Sequence, residues 1–236
     1  GQKQIYFYHS GTAQLLGLVP FEEGIPYVLK FSRSGATLLA AGGHGAKQGR
    51  AVLYDVKSGK RLTAVGEELD AVLAADIHAS QTRVALGGPE KILRVYATAD
   101  GSQLHQIRKH TDWVLAVEYS PDGVLLASGD RSGGLFVWEA DSMNEYQTLD
   151  GHKGAITAVS WRPDSNVLAS ASEDGTIRLW EMNDGKQIRN IRAHDGGALA
   201  VEFLHDGRLV SAGRDRKVKL WAADGKMLRE FGPMAD

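Results

Sequence analysis

Cysteine is absent from the chain. That one absence removes disulfides, thiolate nucleophiles, Cys-ligated zinc, covalent haem attachment and iron–sulfur clusters together, while leaving the redox compartment open. Proline is scarce, with 6 residues. Long apolar runs are missing as well: Ala71-Val72-Leu73-Ala74-Ala75 is among the longest, far short of the roughly 20 residues a helix needs to span a bilayer. Neither sign of charge dominates, because 27 Lys and Arg face 29 Asp and Glu for a formal charge of −2. Without a basic run there is no electrostatic footprint for a polyanion, and nucleic acid is not expected as the main partner. The chain opens at Gly1 with no Met and no basic-then-apolar leader, so a piece of a longer protein is expected.

What is present is a globular composition, with 43% hydrophobic and 24% charged residues and 28 Gly among 236, enough to build a packed core. It is also strongly periodic. An aromatic closing a short apolar run recurs at Tyr8, Tyr54, Tyr96, Trp138, Trp180 and Trp221, at spacings of 46, 42, 42, 42 and 41. Phe31, Ile77, Tyr119, Trp161 and Phe203 keep step at 46, 42, 42 and 42. Both series carry the same excess in the first interval, so one insertion near Gly42 to Gly49 accounts for both.

Within a unit the alternation has period two, as strands require. Ala155 to Trp161 is a first run, Pro163-Asp164-Ser165 a turn, Val167 to Ser170 a second run, and Asp174-Gly175 leads into Thr176 to Trp180. Asp184-Gly185 then introduces a fourth run, Gln187 to Ile191. Sibling turns recur at Ser120-Pro121-Asp122-Gly123, His205-Asp206-Gly207, Ser58-Gly59, Asp100-Gly101 and Asp224-Gly225, each with turn chemistry. Each unit reads as a four-stranded antiparallel meander, and sheets this short stack radially as propeller blades. The fold class is all-β, a single propeller domain over 1–236. It divides into a partial blade 1–22 and blades 23–66, 67–108, 109–150, 151–192 and 193–236. The partial blade supplies only third and fourth strands, Gln4 to His9 and Ala13 to Val19.

At these residues the sequence resembles the WD40 repeat family over essentially its whole length. Asp150-Gly151-His152 precedes Trp180 by 28 residues counted from the His, His110 precedes Trp138 by 28, and His194 precedes Trp221 by 27. Ten residues before each Trp stand Ser128, Ser170 and Ser211, and six before stand Ser132, Asp174 and Asp215. The resemblance implies a buried tetrad in which Trp donates to Ser, Ser to His, and His to the turn Asp. Carried across, it is complete in His152, Ser170, Asp174, Trp180 and in His194, Ser211, Asp215, Trp221. In the unit of His110, Ser128 and Trp138 it is partial, with Ser132 in place of the acid. The Tyr96 unit offers Glu68, Leu86 and Glu90 and the Tyr54 unit Ala41, so neither can form it. The resemblance also implies seven-bladed rings, so five blades and a half read as a fragment of such a ring. An open ring further implies association through exposed blade edges.

Ser, His and Asp together invite a hydrolase reading. Their recurrence at the repeat period, and the absence of a Gly-x-Ser-x-Gly elbow, assign them to structure instead. The remaining His residues are dispersed, without His-Glu-x-x-His, so no metal and no cofactor is expected. Gly42 to Gly49 lacks a Gly-Lys-Ser/Thr ending and reads as a floppy hairpin loop. No carboxylate or His cluster is expected at the axis, which ranks a propeller enzyme last.

In WD40 proteins the loop face carries partner contacts, and here it holds Asp112, Trp113, Arg131, Lys153, Glu173, Asp195 and Arg214, with Lys47, Glu68 and Glu90 further round. Trp113 stands out, because the next unit has Ala155 there. Aromatic and Arg side chains on a rigid rim are the usual hot-spot types. The expected function is a non-catalytic scaffold binding a protein or peptide. The alternative is an accessory propeller of a larger bacterial c-type cytochrome-like or enzyme chain, a resemblance that points to an extracytoplasmic setting.

Overall fold

The computed structural model describes residues 3–232, and every regular element among them is a β-strand. Among the described residues no helix is long and apolar enough to cross a membrane. Strands β1 (Lys3–Tyr8) and β2 (Leu15–Phe21) form a two-stranded sheet. Five four-stranded antiparallel blades follow. The first holds β3 (Ile25–Phe31), β4 (Thr37–His44), β5 (Gln48–Asp55) and β6 (Arg61–Glu68). The second holds β7 (Ala74–Ile77), β8 (Arg83–Gly87), β9 (Leu93–Ala97) and β10 (Gln103–Ile107). The third holds β11 (Val114–Tyr119), β12 (Leu125–Asp130), β13 (Leu135–Glu139) and β14 (Glu145–Thr148). The fourth holds β15 (Ile156–Trp161), β16 (Val167–Ser172), β17 (Thr176–Glu181) and β18 (Gln187–Arg192). The fifth holds β19 (Ala198–Phe203), β20 (Leu209–Gly213), β21 (Val218–Trp221) and β22 (Met227–Phe231).

One register repeats through all five blades. The closing aromatic of the third strand pairs with an aliphatic residue of the second: Leu38 with Tyr54, Val84 with Tyr96, Leu126 with Trp138, Leu168 with Trp180 and Leu209 with Trp221. A one-residue slip would turn every apolar side chain to the wrong face, so the pattern holds the register. Two residues beyond each aliphatic partner come Ala40, Leu86, Ser128, Ser170 and Ser211. The serine position of the Tyr54 blade is therefore Ala40 and not Ala41, an offset that the lengthened β4–β5 hairpin hides from residue counting.

That hairpin corrects the expected floppy loop. Gly42 pairs with Arg50, Gly43 with Gly49 and His44 with Gln48, so the insertion extends the ladder and leaves a turn of only Gly45, Ala46 and Lys47. A Cβ on Gly43, at φ 147°, would sit 2.1 Å from the Gln48 carbonyl oxygen, which is why glycine stands there. Gly49 also pairs with Glu68, so β6 runs two residues past the expected blade end at 66. In the half-blade, the His9 ring accepts the amides of Gly11 and Thr12 and Ala13 takes φ 54°. His9 and Ala13 thus belong to the turn, and β1 and β2 lie one to two residues from the expected spans.

Blades stack by burying each closing aromatic against the preceding blade. Tyr54 packs with Ile5, Val19 and Phe21 of the half-blade, and Tyr96 with Leu39, Ala51 and Leu53. Trp138 packs with Leu93 and Val95, Trp180 with Leu135 and Val137, and Trp221 with Ala169 and Leu179. The innermost strands β3, β7, β11, β15 and β19 line an axial cavity of about 250 Å³. Among the described residues the arc does not close on itself. Ile25, Tyr27, Leu29 and Phe31 on β3 are 42–57% exposed, whereas Val117 and Tyr119 on β11 are buried at 4% and 1%.

Equal side chains should therefore differ sharply in worth. Leu168→Ala, at a fully buried position, is expected to cost about 2–5 kcal/mol. Leu29→Ala should stay within about 0.5 kcal/mol. Chemical denaturation of both variants checks the contrast.

Candidate functional site: the pinned loop face

The loops entering β11, β15 and β19, and those joining the second to the third strand of the same blades, meet on one face. Each is tied down by a buried hydrogen-bond chain. In the fourth blade the Trp180 indole N–H donates to Ser170 Oγ at 2.9 Å. Ser170 Oγ lies 2.8 Å from His152 Nε2, and His152 Nδ1 lies 2.9 Å from Asp174 Oδ2. The carboxylate can only accept, so Nδ1 carries the proton and Nε2 accepts from the serine hydroxyl. The fifth blade repeats the chain: Trp221 to Ser211 at 2.8 Å, Ser211 to His194 at 2.8 Å, His194 to Asp215 at 2.9 Å.

The third blade requires a correction. Trp138 donates to Ser128 at 2.8 Å and Ser128 meets His110 Nε2 at 2.8 Å. The acid is Asp130, 2.9 Å from His110 Nδ1, and Ser132 does not replace it. Asp130 sits at the end of β12, two residues before the usual turn position. Ser132 donates its amide and hydroxyl to the other carboxylate oxygen, at 2.9 and 2.8 Å, and so holds Asp130 in place. The tetrad is complete.

The second blade builds a different chain in the same space. The Tyr96 hydroxyl donates to Glu68 Oε1 at 2.7 Å, and Glu68 pairs with Arg94, which donates to Glu90 at 2.6 Å. Glu68 precedes Tyr96 by 28 residues, the His-to-Trp spacing of the later blades. A longer acid and a phenol thus span the gap directly over Leu86. Glu68 and Glu90 are accordingly turned into this network and are not free rim residues. In the first blade the Tyr54 hydroxyl donates to the Pro20 carbonyl at 2.7 Å, linking it to the half-blade.

The electrostatics follow from these partners. Burial works against ionised Asp174, yet donors from Thr176, the Lys153 amide and His152 outweigh it and hold the carboxyl well below its usual range. Burial lowers His152, with Asp174 opposing, so the ring is neutral at physiological pH. Asp130 is held low against burial by His110, Ser132 and the Gly134 amide. Glu68 is pushed up by burial despite Tyr96 and Arg94.

On this frame the rim residues fall into two contacts. The Arg131 amide donates to the Trp113 carbonyl at 2.9 Å, as Glu173 does to Ala155 at 2.9 Å and Arg214 to Gly197 at 3.0 Å. Trp113, Ala155 and Gly197 are thus equivalent positions. Trp113 is 40% exposed, and the Arg131 guanidinium lies 5.1 Å above its ring, within cation–π range. Ala155 and Gly197 leave room for Glu173 to pair with Arg214. Asp112 accepts the Trp113 amide at 2.8 Å. The Lys153 amide donates to Asp174 at 3.0 Å, which fixes its backbone to the tetrad. Asp195 is exposed beside this group, and Lys47 lies apart at the tip of the first blade's hairpin. Among the ion pairs of the described residues neither Arg131 nor Lys153 takes part.

Sequence reading also missed the axis, where Lys30, Asp76, Glu118 and Glu202 converge. The signal was available, since each stands one residue before the Phe31 to Phe203 series.

The model of the family described as WD domain, G-beta repeat matches residues 101–139, 143–181 and 185–222. With the blades and tetrads above, this chain belongs to the WD40 repeat family. No curated protein matches it.

His152→Ala is expected to cost about 1–3 kcal/mol, because Ser170 and Asp174 lose a buried partner. Asp130→Ala should cost more than Ser132→Ala, and equal costs in thermal melts would return the third tetrad to Ser132. Asp174 is lowered when folded, so its contribution is present above the normal carboxylate range and lost as pH falls through the lowered value. Asp174→Asn should therefore flatten the acid limb of the stability curve.

Proposed function

We propose that this protein is a non-catalytic platform that binds a protein or peptide through its loop face, with Trp113 and Arg131 as the anchor. WD40 repeats generally serve as protein-interaction scaffolds and are typically non-catalytic. The observation that carries the reading is the stacked pair: a half-exposed indole with an unpaired guanidinium over it, on loops tied to buried tetrads. A large aromatic held in one place offers contact area at little entropic cost. Lys153 extends the cationic side of the patch, and the Glu173–Arg214 pair with Asp112 and Asp195 forms its polar rim.

A photo-crosslinking residue at position 113, with position 124 on the opposite face as control, tests this. Val124 is 61% exposed in a first-to-second-strand turn. Crosslinking to one identified partner is expected at 113 and not at 124. The purified partner should then lose about tenfold or more in affinity on Trp113→Ala, the scale of a hot-spot residue. Unchanged affinity for a normally folded Trp113→Ala would overturn the assignment.

A further inference from the structure

Loop-face binding leaves the axis unused. The residues just before Phe31, Ile77, Tyr119, Trp161 and Phe203 are Lys30, Asp76, Glu118, Ser160 and Glu202, one on each innermost strand. Where that residue is a short acceptor it ties one blade to the next. Asp76 accepts the Tyr119 amide at 2.7 Å, and the Ser160 hydroxyl accepts the Phe203 amide at 2.9 Å. Lysine has no acceptor, so Lys30 cannot receive the corresponding amide from β7. Its Nζ lies instead 3.6 Å from Asp76 and 3.4 Å from Glu118, two blades along. The β3–β7 joint thus lacks the tie seen at the β7–β11 and β15–β19 joints and carries a charge contact in its place. It is also the joint whose far side, the row Ile25 to Phe31, is bare.

Three carboxylates share one ammonium. Burial first of all, opposed by Lys30 and reinforced by Asp76 and Glu202, pushes the Glu118 carboxyl up to about 7. Burial also raises Glu202, with Lys30 again opposing. Lys30 is raised, because Asp76, Glu118 and Glu202 outweigh its burial. Lys30, Glu118 and Glu202 line the cavity from β3, β11 and β19, Asp76 reaches Lys30 from β7, and β15 contributes uncharged Thr157 to the lining with uncharged Ser160 at the matching strand position.

We propose that Lys30, Asp76, Glu118 and Glu202 form a proton-operated clamp on the joint between β3 and the rest of the arc, tight when Glu118 is ionised and slack when it is protonated. Lys30 lowers the proton affinity of Glu118, so removing Lys30 from the pair raises it. By linkage, proton uptake favours the state with Lys30 released. Global stability runs the other way. The folded value of Glu118 lies above its unfolded one, so its contribution is full below the unfolded carboxylate range and is lost as pH rises through about 7. Local tightening and global stability therefore separate the clamp from a general pH effect.

Hydrogen exchange of residues 25–31 in the whole chain, from pH 5.5 to 8.5 and corrected for intrinsic rates, tests the clamp. Wild-type protection should rise at least about fivefold across pH 7, the low end of ordinary coupling. In Glu118→Gln it should not change with pH, and Lys30→Met at high pH should fall to the wild-type low-pH level. Glu202→Gln should keep the rise but move its midpoint to lower pH. The same rise in Glu118→Gln, unchanged protection in Lys30→Met, or an unmoved midpoint in Glu202→Gln would each overturn the proposal.

Discussion

A buried indole N–H must find an acceptor, and in this protein the answer to that requirement organises the loop face. The closing Trp of a blade is buried against the preceding blade, so its N–H cannot reach water. Serine accepts it but brings its own hydroxyl proton, histidine takes that proton and brings another, and only a carboxylate ends the chain. The carboxylate lies in the loop between the second and third strands, or in the third blade at the strand end that enters it, and the histidine in the loop that enters the blade. Satisfying one core donor thus fixes two loops of the same face. The rim residues Trp113, Arg131 and Lys153 inherit that rigidity through single backbone hydrogen bonds to the pinned segments.

The N-terminal blades meet the same requirement with phenols. A Tyr hydroxyl extends further than an indole N–H, so Tyr96 reaches Glu68 over an apolar Leu86, and Tyr54 reaches a backbone carbonyl of the half-blade. Neither contact runs through a loop histidine. The chain accordingly has two kinds of blade, three with their loops tied to the core by tetrads and two whose aromatic is satisfied locally. The anchor pair Trp113 and Arg131 lies on the first of the tetrad blades.

Strand order and blade count were readable from sequence because each blade repeats the same period-two pattern about one aromatic. The missed features depend on reach rather than spacing. Asp130 is two residues early, and only the position of its carboxyl group reveals it as the tetrad acid. Gly42 to Gly49 contains the residues of a flexible loop, yet those glycines allow two strands and the neighbouring Asp70 backbone to approach closely. Lys30, Asp76, Glu118 and Glu202 look like ordinary polar alternation along a strand. They become a cluster only when five strands from distant parts of the chain converge on one axis.

The loop face and the axis meet in the innermost strands, which carry pinned loops at one end and the charge cluster towards the other. The account rests on the direction of hydrogen bonding in the tetrads, because that direction is what couples core to loop. Nitrogen NMR of the histidine rings at neutral pH reads it most directly. His110, His152 and His194 should each show a proton on Nδ1, an unprotonated Nε2 and slow exchange of the Nδ1 proton with solvent. A proton on Nε2, or rapid averaging between the two nitrogens, would contradict the account, since the serine hydroxyl could then not donate to the ring.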